Sequence, residues 1–503
     1  MKQPKVWHPF LFAVYSILFL FAHNISQVSF ADLPFPSLLI FSGVIVLWGT
    51  LLLIFRNWQL TGVIVTTIIL AFFSYGHAHD FIQHHDIILF NISRHRHLFP
   101  IYVLLILMVS FFAFRRRNSL ETFTRFLNIA TIFLVVFVFG EILWYQLFLR
   151  PNTTFIDNSA KTNVKDSLDT QTSPPDVYYI ILDMYPSNKT LIDYYDTNVD
   201  DFEDFLREKG FYIVPESVSN YSHTLESLPS SLNMEYLTFS LNQKSLTSTQ
   251  YAMIRNSRVM QFLKERGYSF VLVRSGLGPT DRNPLADVVV NCGDYSEYLD
   301  VMNQTTMLVV LYMFDSWSKL TNTRRAHVIG MFDEMMKMDQ YRSPKFVLAH
   351  FLVPHPPFIF GPNGENRVPE GLSLHSETHL PDSAYINQIE YVNKQMKLVI
   401  DDILATSDQT PIIIVQGDHG PWQSHFDEDT DEFLKERFGI LNAILLPGVP
   451  DDSLSAAFTP VNNFRLVFNH AFGSNYEILE DKCYYNNEVS DQFLDVTDRV
   501  LGD

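Results

Sequence analysis

Asp418 and His419 stand side by side between Gly417 and Gly420, directly after the apolar run Ile412-Ile413-Ile414-Val415. A carboxylate and an imidazole at the end of a buried strand can both ligate one divalent cation. In open α/β sheets, ligands bind outside the carboxyl ends of the strands. A second apolar run, Val177-Tyr178-Tyr179-Ile180-Ile181-Leu182, leads straight into Asp183. Two strand-end carboxylates from distant parts of the chain point to one shared metal site. Between them the polar stretch Ser219-Asn220-Tyr221-Ser222-His223-Thr224 gives way to a helical pattern over Leu225–Tyr236. A hydroxyl at a helix start is most often an N-cap. The same position suits a nucleophile, because free N–H groups and the helix dipole favour negative charge there, and a metal-bound hydroxyl is activated for attack. Asp183, Thr224, Asp418 and His419 together make an oxygen-dominated set of four ligands that suits Mn, Zn or Mg. A further segment, His350-Phe351-Leu352-Val353-Pro354-His355-Pro356-Pro357-Phe358, follows the strand-like Lys345–Ala349. Each of its histidines is open to a structural role. Either could also contact substrate oxygens, donate a proton to a leaving group, or hold a second metal.

These groups need a scaffold that brings strand ends together. Strand candidates are Val177–Leu182, Tyr268–Val273, Lys345–Ala349, Pro411–Val415 and Ala443–Leu446. Helix candidates are Asp200–Lys209, Leu225–Tyr236, Ser257–Arg266, Tyr385–Leu404 and Val461–Ala471, the last with Thr459 as cap and Pro460 at its first position. Apolar strands alternating with helices predict an α/β fold with a largely parallel sheet covered on both faces.

The chain has 503 residues and divides unevenly in charge. Residues 1–150 hold 10 Lys and Arg against 5 Asp and Glu, and the remainder holds 26 against 50. An acidic C-terminal part with no basic run argues against nucleic acid as a partner. Five apolar stretches, Trp7–Ala22, Pro36–Phe55, Leu60–Tyr75, Leu98–Phe114 and Phe126–Leu149, approach the length needed to cross a bilayer. Lys2, Lys5, Arg56, Arg115-Arg116-Arg117 and Arg125 fall on one side of a five-span scheme, and Arg94 and Arg96 oppose it. The reading is a multi-pass plasma (inner) membrane protein with a transmembrane helical domain over 1–150, a polar linker over 151–174 and an extracytoplasmic domain over 175–503. The loop after the third span gathers His77, His79, His84 and His85, an interfacial loop or a metal-binding tract. Cys292 and Cys483 form no Cys-x-x-Cys pattern; they either pair in an oxidising compartment or remain two buried thiols.

Four segments, Pro175–Asp183, Asn220–Thr224, His350–Phe358 and Gly417–Gly420, resemble in order and spacing the motifs of the sulfatase/alkaline phosphatase superfamily. The architecture is similar to its membrane-anchored members, the lipoteichoic acid synthases and lipid phosphoethanolamine transferases. The resemblance implies a sulfatase-like catalytic domain with one divalent metal on Asp183, Thr224, Asp418 and His419. It implies Thr224 as the nucleophile, His355 as a contact to substrate or a second metal, and His350 as its neighbour. It also implies a lipid or envelope-glycan substrate, with a phospho-alcohol passed to an acceptor; water as acceptor, or a non-catalytic sensor on the same fold, are the alternatives. Formylglycine-type sulfatases need Cys or Ser followed by x-Pro-x-Arg at the nucleophile, whereas this chain reads Thr-Leu-Glu-Ser-Leu from Thr224, so that cofactor cannot form there. Transferases of this type place another His beyond the Asp-His-Gly motif; His425 is the nearby candidate, at short spacing. The segment from Ser275 to Asp287 also looks family-like, without an assigned chemistry.

Overall fold

The computed structural model describes residues 4–25, 30, 33–84, 95–149, 174–238, 246–293, 295, 299, 302–303, 305–313, 317–367, 382–421, 425–427, 430–449, 458–486 and 492–502. Residues 151–173 of the expected linker, His85 and Arg94 lie outside them. The chain forms two compact units: Met1–Arg150 together with Ser296–Leu320, and Pro151–Tyr295 together with Thr321–Asp503.

The first unit is built on five helices: α1 (His8–His23), α2 (Pro34–Phe55), α3 (Trp58–His84), α4 (His95–Arg115) and α5 (Glu121–Trp144). Among the described residues four helices are long and apolar enough to cross a membrane, and His8–His23 is a shorter apolar one. Their directions alternate. At the start of α1, the backbone N–H groups of Trp7 and His8 donate to Asn128 Oδ1 at 3.1 and 3.0 Å, near the start of α5. At its other end Phe21 and Ala22 pack on Val138 and Ile142. The shorter helix therefore runs parallel to α5, along the same bundle. Because α3 extends to His84, His77 and His79 stand on a helix rather than in the expected loop.

The second unit is an α/β layer structure. Its seven-stranded sheet has the order β2-β7-β6-β1-β5-β3-β4, with β1 (Val177–Leu182), β2 (Tyr212–Ile213), β3 (Ser269–Val273), β4 (Val288–Val290), β5 (Lys345–Phe351), β6 (Ile412–Gly417) and β7 (Asn442–Leu445). β1 pairs in parallel with both β5 and β6, and β3 with β5 and β4; β7 runs antiparallel to β6 and β2. Alternate side chains of β1 feed opposite cores. Tyr178, Ile180 and Leu182 join one cluster, and Val177, Tyr179 and Ile181 the other. Each fully buried Ile, Val or Leu contributes roughly 1.5–3 kcal/mol, and burial on both faces is why these strands read as unbroken apolar runs.

The helices that follow in the chain are α6 (Asn188–Tyr195), α7 (Asp200–Glu208), α8 (Thr224–Asn233), α9 (Leu246–Arg255), α10 (Arg258–Glu265), α11 (Gly278–Asp281), α12 (Trp317–Met335), α13 (Asp382–Thr406), α14 (Asp431–Phe438), α15 (Asn463–Phe472) and α16 (Thr497–Leu501); all belong to this unit except the start of α12, up to Leu320. Thr459 does precede a turn starting at Pro460, but its hydroxyl donates to Asp481 Oδ1 at 2.7 Å instead of capping the helix. Cys292 and Cys483 are both free and buried. Burial pushes the Cys292 thiol up to about 12, and the Cys483 thiol higher than an ordinary thiol as well.

Candidate active site

Three adjacent parallel strands, β6, β1 and β5, end side by side, and the candidate residues sit at or just beyond those ends. Asp183 follows β1, His350 is the penultimate residue of β5, and Asp418-His419 follows β6. The register pairs Leu182 with Gly417 and with Phe351, which levels the three ends. The glycines flanking Asp418-His419 permit close backbone contacts. A Cβ on Gly417 would lie 2.2 Å from the Tyr185 carbonyl oxygen, and one on Gly420 would lie 2.4 Å from that of Glu436. Any side chain at either position would push the loop off the sheet edge.

Ligand atoms of Asp183, Asp418 and His419 all lie within 4.8 Å of one another, and all three residues are buried. Among the described residues no other group of His, Cys, Asp and Glu has this spacing. Asp418 Oδ1 accepts the N–H groups of Met184 at 3.1 Å and His419 at 2.9 Å. Its other oxygen, Oδ2, is buried with no hydrogen-bond partner. His419 Nδ1 lies 2.9 Å from the Gly420 carbonyl. A carbonyl only accepts, so the proton is on Nδ1 and the Nε2 lone pair is left bare. That lone pair faces Asp418 Oδ2 at 3.6 Å and Asp183 Oδ1 at 3.7 Å. Burial, then the Arg437 charge, hold the imidazole well below the usual histidine range, so it is neutral at pH 7. A bare lone pair turned towards two carboxylates is repulsive on its own and becomes favourable around a cation. The donor chemistry therefore fits a divalent metal.

Thr224 joins this group through its side chain. It is the first residue of α8; the cap position belongs to His223, which makes no side-chain cap bond. The Thr224 hydroxyl is not used as a cap either: Oγ1 lies 3.3 Å from His419 Nε2. The N-cap alternative open in the sequence is thus not what the hydroxyl does.

The two histidines of the β5 segment differ. His350 is fully buried, its Nε2 3.7 Å from Asp183 Oδ2 and without a hydrogen bond. Its Nδ1 lies 3.0 Å from Thr280 Oγ1, which in turn lies 2.8 Å from Ser275 Oγ. This gives the Ser275–Asp287 segment a task that no local pattern could reveal: it orients His350. His355 points its Nδ1 at the Pro356 carbonyl, 2.7 Å away, which again leaves Nε2 bare. Burial first pushes both imidazoles down to about 4. Around His355 the backbone is fastened by Gln388. Its Oε1 accepts from Ile359 N at 2.9 Å and Phe360 N at 3.3 Å. Its Nε2 donates to the carbonyls of Pro354 at 3.0 Å and His355 at 3.2 Å.

Arg437, buried, donates to the Gly420 carbonyl at 3.0 Å; burial first, and then its charge, hold the pKa values of His223 and His419 below the usual histidine range. Sequence reasoning missed Arg437, Thr280 and Gln388; each is distant in the chain from the motif it serves. His425 does not join the metal-competent group. Its Nδ1 lies 2.8 Å from Glu436 and its Nε2 3.1 Å from Asp382, so carboxylates hold both ring nitrogens.

A family model described as Sulfatase matches residues 175–436, just over half of the 503-residue chain. The chain belongs to the sulfatase family. It is a sulfatase-family enzyme whose N-terminal part carries helices long and apolar enough to cross a membrane. A search of curated proteins found no match. Among solved structures, the C-terminal periplasmic domain of EptC from Escherichia coli has a TM-score of 0.42 at 15% identity, covering 65% of this chain and 94% of that one. The integral membrane protein lipooligosaccharide phosphoethanolamine transferase A from Neisseria meningitidis has a TM-score of 0.41 at 12% identity, covering 74% and 69%. A protein in the alkaline phosphatase superfamily from Vibrio parahaemolyticus has a TM-score of 0.38 at 10% identity, covering 63% and 74%. The sulfatase-family residues 175–436 contain the whole Asp183–Thr224–Asp418–His419 group.

Proposed function

We propose that this membrane sulfatase-family enzyme transfers or cleaves a phosphate ester through Thr224, with one divalent metal held by Asp183, Thr224, Asp418 and His419. The observation that carries the reading is the Thr224 hydroxyl at the start of α8, which does not cap the helix but lies 3.3 Å from the unprotonated Nε2 of His419, within hydrogen-bond reach and beside two buried carboxylates. When bound, the metal would polarise a phosphate oxygen and lower the pKa of the hydroxyl. Manganese, zinc and magnesium all suit the donor set.

Thr224 Oγ1 attacks phosphorus, the bond to the leaving alcohol breaks, and the alcohol departs with a proton. The phosphoryl or phospho-alcohol group stays on Thr224 as an ester. The first N–H groups of α8 face the negative charge that builds up. In the second step an acceptor hydroxyl, or water, attacks the phosphorus and Thr224 is regenerated. His355 is neutral with Nε2 bare, so it is suited to take the acceptor's proton rather than to supply one to the leaving group. The substrate is a lipid headgroup or envelope glycan, in keeping with the apolar helices on the same chain. In this reading all five helices cross the plasma (inner) membrane and the C-terminal domain is extracytoplasmic.

The test uses the full chain in vesicles with headgroup-labelled phospholipid and added Mn or Zn. Metal-dependent label on Thr224, lost in Thr224→Ala, is the expected result. Release of that label by water alone identifies a hydrolase, and release only with a glycan or lipid acceptor identifies a transferase. Label that persists in Thr224→Ala, or that forms equally without metal, overturns the reading.

A further inference from the structure

The chain leaves the α/β unit after Tyr295 and returns to it at Thr321; Ser296–Leu320 belongs to the helical unit instead. The middle of this excursion is apolar, between Asp300 on one side and Asp315 on the other. From Met307 to Met313 it reads Met-Leu-Val-Val-Leu-Tyr-Met, with no charge and no strong hydrogen-bonding side chain apart from one phenol. That stretch folds as a 3₁₀ helix.

Its contacts are with one end of the helix bundle. Met302 is buried against Leu20 near the end of α1, with Leu33, just before α2, and Ile40 of α2 alongside. Val310 is buried against Tyr75 of α3 and Leu98 of α4, with Ile82, Phe99 and Tyr102 packed around it. Between these two anchor points the backbone of Thr305 lies directly on α3 at Gly76. A Cβ there would come within 2.4 Å of the Thr305 carbonyl carbon. A glycine inside a helix costs about 1 kcal/mol relative to alanine. At Gly76 it lets a backbone from a distant part of the sequence lie against the helix. All these contacts fall at one end of the bundle, the late part of α1 and α3 and the early part of α2 and α4.

We infer that Met302, Thr305 and Met307–Val310 belong to a built-in docking segment whose partner is this chain's own membrane bundle, so that the sulfatase domain is fastened to the bundle non-covalently as well as through the linker. The seat is apolar side chains in the gap between helix ends, with Gly76 as its floor. The chemistry recognised is the uncharged, Met/Val-rich stretch beyond Asp300 entering among Leu, Ile, Phe and Tyr. The inference is independent of the reaction proposed for Thr224.

The experiment uses the full chain in nanodiscs, with a site-specific protease site inserted within residues 151–174 and complete cleavage verified on a gel. Size-exclusion chromatography then reads whether the C-terminal fragment stays with the disc. In the wild-type sequence it is expected to co-elute with the disc, in high salt as well as low. Met307→Asp/Val310→Asp is expected to release it, Val310→Ser to release part of it, and Leu398→Asp, an exposed position on α13, to release none. Release of the wild-type fragment on cleavage overturns the inference, whatever the variants do. Retention of the doubly substituted fragment also overturns it, because the holding contact would then lie elsewhere.

Discussion

Gln388 on α13 offers a sharp test of how the His355 loop is held. The side chain is fully buried and makes four hydrogen bonds to the backbone of residues 354–360. Gln388→Leu keeps the volume close and removes all four. A buried hydrogen bond contributes about 0.5–1.5 kcal/mol net, and a stranded partner costs about 1–3 kcal/mol. Four full penalties overstate the loss, since the loop can open until water reaches the carbonyls of Pro354 and His355. A local cost of about 2–4 kcal/mol follows, or ~30- to 1,000-fold in the opening equilibrium. Hydrogen exchange read by mass spectrometry on the amides of Ile359 and Phe360 should lose protection by that factor. The amides of β6, which Gln388 does not touch, should not change. Metal binding should survive, because no proposed ligand contacts Gln388, while turnover of label from Thr224 should slow as His355 loses its fixed position. Unchanged exchange at Ile359 and Phe360 would refute the view that one amide holds this loop.

Other outcomes can be measured on the same protein. Metal at ~100 times its dissociation constant should stabilise the wild type by about 2.7 kcal/mol; Asp418→Asn, which keeps an acceptor for Met184 N and His419 N, should fold as well as metal-free wild type and gain nothing from metal in thermal unfolding. The buried pair of Asp176 and Lys345, 2.7 Å apart, also ties Ser343 and the Lys345 backbone; Asp176→Ala leaves Lys345 buried and unpaired and should cost about 3–5 kcal/mol by denaturant titration. His425 is a pH-sensitive clasp between α13 and α14. Burial opposes its charge, but the bonds to Glu436 and Asp382 win and raise its pKa. A raised folded pKa gives stability that is complete below the unfolded value of about 6.5 and is lost as pH rises through the folded value. Melting temperature should therefore fall more steeply above pH 6.5 in the wild type than in His425→Gln, and equal slopes would count against the clasp.

What the sequence makes legible follows from burial. β1 is read to the residue, and β5 and β6 nearly so, because both faces of each strand are covered and the apolar run is continuous. The glycines around Asp418-His419 and the carboxylate after β1 are legible for the same reason, since they interrupt such runs. α8 is placed within a residue at its start but ends at Asn233 rather than Tyr236, where Met234 turns left-handed with φ 57°. The short α6 and α9 escaped notice because eight or ten residues carry too few turns for a clear period. Gln388, Thr280 and Arg437 could not be found from pattern at all. Their partners are backbone carbonyls, amides and a histidine 17 to 70 residues away, and tertiary hydrogen bonds leave no periodic trace. His77 and His79 looked like a loop because polar residues end the apolar count; the helix simply continues past the apolar stretch.

The excursion to the helical unit departs soon after β4, and β4 is the last strand of the sheet order, paired on one side only. The three strands that present Asp183, His350 and Asp418-His419 lie further in, separated from that edge by β3. Chain can thus be spliced in at the border of the sheet, lengthened or trimmed to suit a different bilayer or a different set of spans, without moving the strand ends on which the chemistry depends. Attachment and reaction are wired to separate parts of the same sheet, so each is free to change while the other stays still.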